Sequence, residues 1–423
     1  MECIYLDNHA TTPVDPRVLE AMLPFFQDKF GNLASTHQFG RAVKSPVLDA
    51  RKQVAQLINA SADEIVFTSG ATESDNLAIK GVAFGAAAIG RHIITCSTEH
   101  KAVIDTCEYL KGHGFAVTYL PVTRDGCIDP KALHAAIRRG AAGSTDRTVL
   151  VSLMHANNEI GTVHPIAACG AICREAGVVF HVDAAQSAGR IPIDVRAMAV
   201  DLLSLSAHKV YGPKGVGALF VRAGAPLIRL DAQMHGGGQE NGFRSGTLPV
   251  PLVVGLGKAC ELARTELEAD VAHARKLRAL MLELVTSVVS GVVINGHTTE
   301  RLPGNLHMTI TGIDTEMLFL KIKNIACSTS SACSSASVKP SHVLKAIGLS
   351  DDEALHSIRF GIGRFNTKEE VEVAARAFAD AVKKCGVRTA MPPSQGVSVN
   401  PEGGGDHGQS CAFEAGATNF PRS

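Results

Sequence analysis

The chain has 423 residues, of which 45% are hydrophobic and 19% are charged. This composition is typical of a soluble globular protein, and the length favours a large domain joined to a smaller one. Lysine plus arginine equals aspartate plus glutamate, at 41 each. Balanced charge gives no bulk attraction to nucleic acid or to a membrane surface, so we expect direct binding to neither.

The ends of the chain and its cysteines indicate a compartment. A strand-like stretch begins at about residue 4, which leaves no room for a targeting segment, and no apolar run approaches the length of a membrane span. The eleven cysteines are scattered along a chain too long for a secreted disulfide framework. We therefore expect a cytoplasmic protein with reduced thiols.

Short apolar runs alternate with helical patterns between residues 60 and 222. The runs are rich in Ile, Val and Leu and lack alternation, which is typical of strands buried on both faces. They predict an α/β fold with a mostly parallel seven-stranded sheet and helices on both sides, for example over 72–84 and 166–176. The predicted strands are 64–68, 92–96, 116–120, 149–154, 178–182, 202–206 and 217–221.

A long helical stretch over 251–288 leads to two further strand-like runs, 292–295 and 308–311. We predict a large domain over residues 13–262 and a smaller α+β domain formed by residues 1–12 and 263–386. Residues 387–423 are predicted to be a disordered tail, because the sequence from 391 onward is rich in Gly, Pro and Ser and lacks apolar periodicity.

A lysine stands at the end of one predicted core strand. Residues 204–215 run Ser-Leu-Ser-Ala-His-Lys-Val-Tyr-Gly-Pro-Lys-Gly, which places Lys209 in a glycine-rich turn. A buried lysine is costly unless it is neutralised, paired or used covalently, and a Schiff base with an aldehyde cofactor is such a use. For Lys209 alone, a side chain that extends to solvent is an equally good interpretation. Lys214 is a competing amine.

A carboxylate ends the preceding predicted strand. Asp183 lies where open α/β sheets bind ligands, and it could hold the ring nitrogen of a pyridoxal cofactor, with Gln186 donating to the ring oxygen. The plainer interpretation of Asp183 is a helix N-cap. Its pairing with Lys209 on the next strand favours the cofactor.

The phosphate of such a cofactor needs a binding site. Residues 65–74 run from a strand through a glycine turn into a helix, whose first N–H groups would face an anion, with Thr72 adding a hydroxyl. Ser206 and His208 could complete this site from the lysine strand. His100 follows another strand end, where an imidazole could stack on the ring and transfer protons, although a lone histidine is more often structural.

A serine-rich segment holds the candidate nucleophile. Residues 327–337 run Cys-Ser-Thr-Ser-Ser-Ala-Cys-Ser-Ser-Ala-Ser, with no large apolar residue. This composition predicts a mobile loop that exposes Cys333. We expect no metal site, because no suitably spaced cysteine or histidine is present, and a disulfide with Cys327 is disfavoured in a reducing compartment.

An arginine occurs within a later apolar run. The guanidinium of Arg359 could hold a substrate carboxylate by two hydrogen bonds, and the alternative is an internal ion pair. Asn158, in a polar stretch after the predicted strand 149–154, offers a side-chain amide at the same sheet edge, or an ordinary polar turn.

Together these stretches resemble the cysteine desulfurases, in the branch that contains nitrogenase-associated and housekeeping iron–sulfur assembly enzymes. The resemblance covers about residues 4–386, and it departs at His9, where the family usually has a small residue close to the mouth of the active site. The stretches that carry it are 5–13, 68–80, 157–162, 182–186, 204–219, 236–247 and 327–337.

The resemblance implies a fold-type I aminotransferase-like enzyme with pyridoxal 5′-phosphate as its cofactor. By that resemblance Lys209 forms the Schiff base, Asp183 and Gln186 hold the ring, and His100 stacks on it. The implied phosphate ligands are Ala71, Thr72, Ser206 and His208, with Thr247 reaching the cofactor of the other subunit of a homodimer; the implied substrate ligands are Asn158 and Arg359.

The implied reaction converts L-cysteine to L-alanine and leaves a persulfide on Cys333, which supplies sulfur for iron–sulfur clusters or other thiolated products. The sulfur acceptor would be a protein, such as an iron–sulfur scaffold or a thiolation relay. The alternatives are a selenocysteine lyase, an aminotransferase or a racemase on the same fold, or a non-enzymatic interaction subunit that keeps the fold.

Overall fold

The computed structural model describes residues 3–140, 147–313, 315–329 and 340–385. Cys333 and the predicted tail lie outside the described residues. The strands are β1 (Ile4–Tyr5), β2 (Ile65–Thr68), β3 (His92–Cys96), β4 (Ala116–Leu120), β5 (Thr148–Met154), β6 (Val179–Asp183), β7 (Leu202–Ser206), β8 (Gly217–Val221), β9 (Val292–Ile294), β10 (Asn305–Ile310), β11 (Ile325–Ala326), β12 (Ser328–Thr329) and β13 (Ser357–Gly361).

Thirteen α-helices occur in the described residues. They are α1 (Pro16–Met22), α2 (Pro24–Gln27), α3 (Gln38–Leu57), α4 (Ala71–Gly85), α5 (Lys101–Lys111), α6 (Pro130–Gly140), α7 (Ile166–Ala176), α8 (Val250–Thr265), α9 (Leu267–Thr286), α10 (Thr315–Lys321), α11 (His342–Ala346), α12 (Asp351–Leu355) and α13 (Lys368–Cys385). No helix of the described ranges is both long enough and apolar enough to cross a membrane.

The large sheet has seven strands in the order β2-β8-β7-β6-β5-β3-β4. Only β8 runs antiparallel to its neighbours, which confirms the predicted mostly parallel sheet. Its central strands are buried along their whole length because helices cover both faces, as the unbroken apolar runs predicted. Parallel strands bring Met154, Asp183 and Ser206, the last residues of β5, β6 and β7, to one edge.

Two predicted elements differ in detail from the structure. The single helical stretch predicted over 251–288 is two helices, because Glu266 leaves the helical conformation between α8 and α9, where its carboxylate pairs with Arg17. The strand predicted over 308–311 is β10, which begins earlier, at Asn305, because it pairs with β13 along its length. Periodicity alone does not show either boundary.

A second sheet has the antiparallel order β12-β13-β10-β9, and β1 pairs with β11 in parallel. The apolar core of this second sheet is formed by Leu6 and by residues between Leu277 and Val382. It is separate from the two apolar clusters that cover the large sheet. The division into domains at residues 12 and 262 stays a prediction.

The N-terminal segment joins the small sheet to the lysine turn. Asp7 bridges to Gly361 at the end of β13, while the Thr12 N–H donates to the carbonyl of His208 at 2.9 Å. Residues 9–11 therefore run along the carboxyl edge of the large sheet, where they complete the wall of a cavity.

Candidate active site

A cavity of about 740 Å³ opens at the carboxyl edge of the large sheet. This volume is in the range of sites that hold a small-molecule cofactor or substrate. The structure brings most of the predicted site residues into its lining, and with them several that the sequence did not single out. The predicted ones are Ala71, Thr72, His100, Asn158, Asp183, Gln186, Ser206, His208, Lys209 and Arg359.

Lys209 lies in a short 3₁₀ helix, Ala207–Lys209, directly after β7. Its Nζ donates to the carbonyl oxygens of His9 and Ala10, each at 2.7 Å, so the amine is held in the cavity wall. Burial lowers the pKa of Lys209 to about 7, and the positive charges of Arg190 and Arg359 add to this effect. Much of the amine is therefore neutral, and nucleophilic, near pH 7. Lys214 lines the same cavity.

The turn after Lys209 is held in an unusual conformation. Tyr211 adopts a left-handed backbone with φ of 64°, which a non-glycine residue rarely takes. Its N–H donates to Thr12 Oγ1 at 2.9 Å, and its hydroxyl accepts from the Arg364 N–H at 2.6 Å. Contacts from two distant segments thus stabilise the strained turn that presents the lysine.

Asp183 forms part of the floor of the cavity. Its side chain is buried and accepts a hydrogen bond from the Ala185 N–H at 2.9 Å. Burial raises the pKa of the Asp183 carboxyl, while His100 and Lys209 favour its charged form. No helix begins after Asp183, so the N-cap interpretation is wrong. A buried carboxyl beside a lysine amine suits a protonated ring nitrogen.

Two further buried acids lie near Asp183. Burial raises the pKa of Asp75 and of Glu99 well above the usual range, and the charge of Asp183 adds to both shifts. Asp75 lines the cavity, and Glu99 Oε1 accepts from the Met154 N–H at 2.8 Å. Burial therefore favours the protonated forms of Asp75 and Glu99, and protonation of either removes its repulsion on Asp183.

The predicted phosphate site lies at the start of α4. Gly70 takes a φ of 155° immediately before the helix, whose first N–H groups have no acceptor within the helix. A Cβ on Gly217 of β8 would come within 2.6 Å of Gly70 Cα, so only glycine lets the two segments approach. This end of the cavity is lined by the glycine turn, by the hydroxyls of Thr72 and Ser206, and by His208.

The two predicted histidines are held in defined tautomers or charge states. His100 is the N-cap of α5, where its Nδ1 accepts from the Ala102 N–H at 3.1 Å, so Nε2 carries the proton of the neutral ring. Burial lowers the pKa of His100, although it lines the open cavity. Burial, and then Lys209, lowers the pKa of His208 to about 4. Both imidazoles are therefore neutral at pH 7.

Arg359 satisfies both of the interpretations given to it. It is buried and pairs with Asp7, with Nη2 at 2.7 Å from Oδ1, so it does form an internal ion pair. Nη2 also donates to Ser328 Oγ at 3.0 Å, and Nη1 donates to the Asn158 carbonyl at 2.9 Å. The guanidinium nevertheless lines the cavity, together with Asn158, where a substrate carboxylate could reach it.

Two predicted residues are not in this cavity. Thr247 is exposed and does not line it, and Cys333 is outside the described residues. His9, expected near the mouth, is instead buried in the lining. Arg190, Asp7, Asp75 and Glu99 were not predicted as site residues. Asp7 and Asp75 lie within the stretches 5–13 and 68–80 that carry the resemblance, and Glu99 precedes His100, but Arg190 follows an ordinary turn that carries no local signal.

The donor set fits pyridoxal phosphate. An amine of lowered pKa, a buried carboxyl at the floor and an anion site at a helix N-terminus occupy one cavity. Lys209 would bind its aldehyde, Asp183 its ring nitrogen and the start of α4 its phosphate.

The sequence is similar to curated relatives over most of its length. It is 55% identical over 382 residues to "Cysteine desulfurase IscS" of Anaeromyxobacter dehalogenans, covering 90% of this chain and 93% of that protein. It is 53% identical to the protein of the same name from Neisseria meningitidis, covering 90% and 92% of the two chains.

Solved structures agree with this similarity. A "NifS-like protein" matches with a TM-score of 0.82 and 37% identity, covering 90% of this chain and all of the other. A structure described as SspA in complex with cysteine matches with a TM-score of 0.75 and 39% identity, covering 86% and 99% of the two chains. The family model described as "Aminotransferase class-V" matches residues 4–373. The chain therefore belongs to the class-V aminotransferase family, with a fold-type I architecture and pyridoxal phosphate as its cofactor.

Proposed function

We propose that this protein is a cysteine desulfurase, which converts L-cysteine to L-alanine and holds the released sulfur as a persulfide on Cys333. The observation that carries the proposal is the convergence of Lys209, Asp183 and Arg359 on one cavity, in a chain 55% identical to a curated cysteine desulfurase. The solved relative that holds cysteine supports the same substrate.

Each residue has a role that follows from its position. Arg359 and Asn158 bind the substrate carboxylate, which places the amino group near Lys209. Bound pyridoxal phosphate supplies an electron sink for the bonds at the substrate α-carbon. The neutral fraction of Lys209, which its lowered pKa makes substantial near pH 7, can take a proton from that carbon, and neutral His100 can transfer a second proton.

The sulfur transfer balances without an external oxidant. The Cys333 thiolate attacks the substrate sulfur and forms the S–S bond as the carbon–sulfur bond breaks. The electron pair of the broken carbon–sulfur bond stays with the β-carbon of the substrate, which is then protonated to give alanine. The products are alanine and one persulfide on the enzyme.

The test compares two cysteines of the same serine-rich segment. We expect Cys333→Ala to abolish alanine formation from cysteine while the cofactor absorbance is retained. Cys327→Ala is the matched control, because burial raises the pKa of the Cys327 thiol to about 12 and leaves it unreactive. Full desulfurase activity in Cys333→Ala would exclude the proposed nucleophile.

We further propose a homodimer in a reducing cytoplasm that passes sulfur to an acceptor protein, such as an iron–sulfur scaffold or a thiolation relay. Five buried cysteines of the described residues, Cys96, Cys107, Cys169, Cys173 and Cys260, are free thiols, which is consistent with a reducing compartment. Thr247 is exposed, as a residue that completes the site of a second subunit would be.

The alternative reactions are less well supported. A selenocysteine lyase or an aminotransferase could use the same Lys209 and Asp183, but the curated relatives at 53–55% identity are cysteine desulfurases. A non-enzymatic subunit would have no need of a lysine amine with its pKa near 7 inside a cofactor-sized cavity.

A further inference from the structure

Arg190 contacts the backbone of the lysine turn and of residues 8–9. Its Nη2 donates to the carbonyl oxygens of Asn8 at 2.6 Å and Lys209 at 3.2 Å, and its Nη1 donates to His9 Nδ1 at 2.7 Å. All of these acceptors are neutral groups, and Arg190 pairs with no carboxylate of the described residues. Burying half of a guanidinium without a counter-ion costs free energy of folding. We therefore expect Arg190 to have a role other than stability.

The contacts of Arg190 and of the lysine amine fall on the same short turn. The Asn8 carbonyl accepts from Arg190, whereas the carbonyls of His9 and Ala10 accept from Lys209 Nζ. Arg190 also bonds to the carbonyl of Lys209 itself. One guanidinium thus ties the backbone of the lysine to the turn that holds its side chain.

His9 transmits this constraint. His9 Nδ1 lies 2.7 Å from Arg190 Nη1 and 3.1 Å from Gln186 Oε1, so the ring is held between a donor and an acceptor. Burial, with Arg190 as the next cause, holds the pKa of His9 well below its usual value, so the ring stays neutral. Its other side meets β13, where a Cβ on Gly361 would lie 3.0 Å from Cδ2. The imidazole is therefore wedged between Arg190 and the small sheet.

The charges around the Lys209 amine and the Arg190 guanidinium do not cancel each other. Besides burial, Arg190 and Arg359 disfavour the ammonium form of Lys209, and Asp183 and Asp7 favour it. Arg190 itself faces neutral His9, Arg359 and the Tyr211 hydroxyl. Among these charges Arg190 is the strongest influence on Lys209.

We propose that Arg190 is a positioning residue for Lys209: with His9 it fixes the turn of residues 8–10 against the lysine, and its unpaired charge faces the amine. The consequence is a Lys209 amine that is oriented, and more often neutral, when it meets an aldehyde. This inference rests on the proposed role of Lys209 as the amine that binds pyridoxal phosphate.

The experiment measures how fast the full-length chain, freed of its cofactor, combines with added pyridoxal phosphate across pH 6–10. The visible absorbance of the bound cofactor reports the rate. In Arg190→Gln we expect the midpoint of the pH–rate profile to rise by about one pH unit, because a nearby positive charge is gone. In Arg190→Lys the charge remains but the forked contacts are lost, so the midpoint stays and the plateau rate falls about tenfold.

The controls separate positioning from stability. Arg301→Gln removes another buried arginine that bonds to backbone carbonyls, those of Ile160 and Asn295, and does not line the cavity; it should leave the midpoint unchanged. An Arg190→Gln midpoint equal to wild type, or an Arg190→Lys plateau equal to wild type, overturns the inference, whatever the melting temperatures. Loading that persists in Lys209→Ala would instead refute the role of Lys209.

Discussion

At the scale of single residues, Arg359 shows how a binding group is prepared. Three of its N–H donors are already engaged, with Asp7, Ser328 and the Asn158 carbonyl. The bonds to Asp7 and Ser328 both use Nη2. A substrate carboxylate that binds the guanidinium by two hydrogen bonds must therefore share Nη2 with these groups or displace one of them. The protein groups therefore orient the guanidinium before substrate arrives, which lowers the cost of ordering it.

The planar fork of Arg359 can be tested by a lysine substitution. We expect Arg359→Lys to raise the KM for cysteine about tenfold or more, with a smaller effect on kcat, because a single ammonium cannot bind a carboxylate bidentately. Arg222→Lys, which alters the pair with Asp201 away from the cavity, should leave KM unchanged. Steady-state kinetics measures both constants. An unaltered KM in Arg359→Lys would exclude Arg359 as a ligand of the substrate carboxylate.

At the scale of elements, one carboxylate connects α1 to the segment that follows β13. Asp15 is the N-cap of α1, where it accepts from the Arg17 N–H at 3.0 Å, and it pairs with Arg364 at 2.9 Å. Its side chain is buried, so these bonds are little screened by solvent. Arg364 also donates its N–H to the Tyr211 hydroxyl, which links this ion pair to the lysine turn.

The Asp15 bonds make stability depend on pH in a defined direction. Hydrogen bonds from Arg17, with Arg364 contributing, lower the pKa of Asp15 from 3.8 to about 2. A depressed folded-state pKa stabilises the protein above the unfolded value, and the effect is lost as pH falls through 4 towards 2. We expect Asp15→Asn to lower the free energy of unfolding by about 2 kcal/mol at pH 7.

Denaturant unfolding of both proteins at a series of pH values measures this effect. The gap between wild type and Asp15→Asn should narrow steadily as the pH falls from 5 to 2. Asp49→Asn, at an exposed position, is the control and should change stability little at any pH. A difference in the free energy of unfolding that stays constant from pH 5 to pH 2 would contradict the role assigned to Asp15.

At the scale of the whole molecule, the described surface leaves large apolar side chains exposed near the N-terminus. Phe30 and Phe39 stack with ring centroids 5.2 Å apart, yet 65% of the surface of Phe30 and 50% of that of Phe39 is exposed. Concentrated exposed apolar area is typical of an interaction surface and supports the proposed homodimer. The other exposed apolar residues of this stretch are Leu19, Leu23 and Phe26.

A charge on this surface should dissociate the subunits. We expect Phe30→Glu to shift the mass in solution from dimer to monomer, and to weaken cofactor retention if Thr247 completes the partner's phosphate site. Leu320→Glu, at an exposed position of α10, is the control and should stay dimeric. Light scattering of the full-length protein gives the mass, and a dimeric Phe30→Glu would place the contact elsewhere.

Much of the fold was predictable because its causes are local. Strands buried on both faces are mostly apolar, and the bounds of the buried strands β3, β7 and β8 agree with the predicted ones. The convergence of Asp183 and Ser206 was predictable for a related reason, since the carboxyl ends of adjacent parallel strands meet at one edge. Residue type and strand end together predicted which side chains meet in the candidate cofactor site.

The sequence by itself thus determined the layered sheet, the lysine and the carboxylate that face its edge, and the serine-rich position of Cys333. Only the tertiary structure decided what holds them. Residues 9–10 reach Lys209 across about two hundred positions, Arg359 takes Asp7 as its partner, and Arg190 bonds to neutral groups and to no carboxylate of the described residues. A local pattern records a residue's own preference for strand, helix or burial, whereas a partner that distant in the chain is chosen by packing alone.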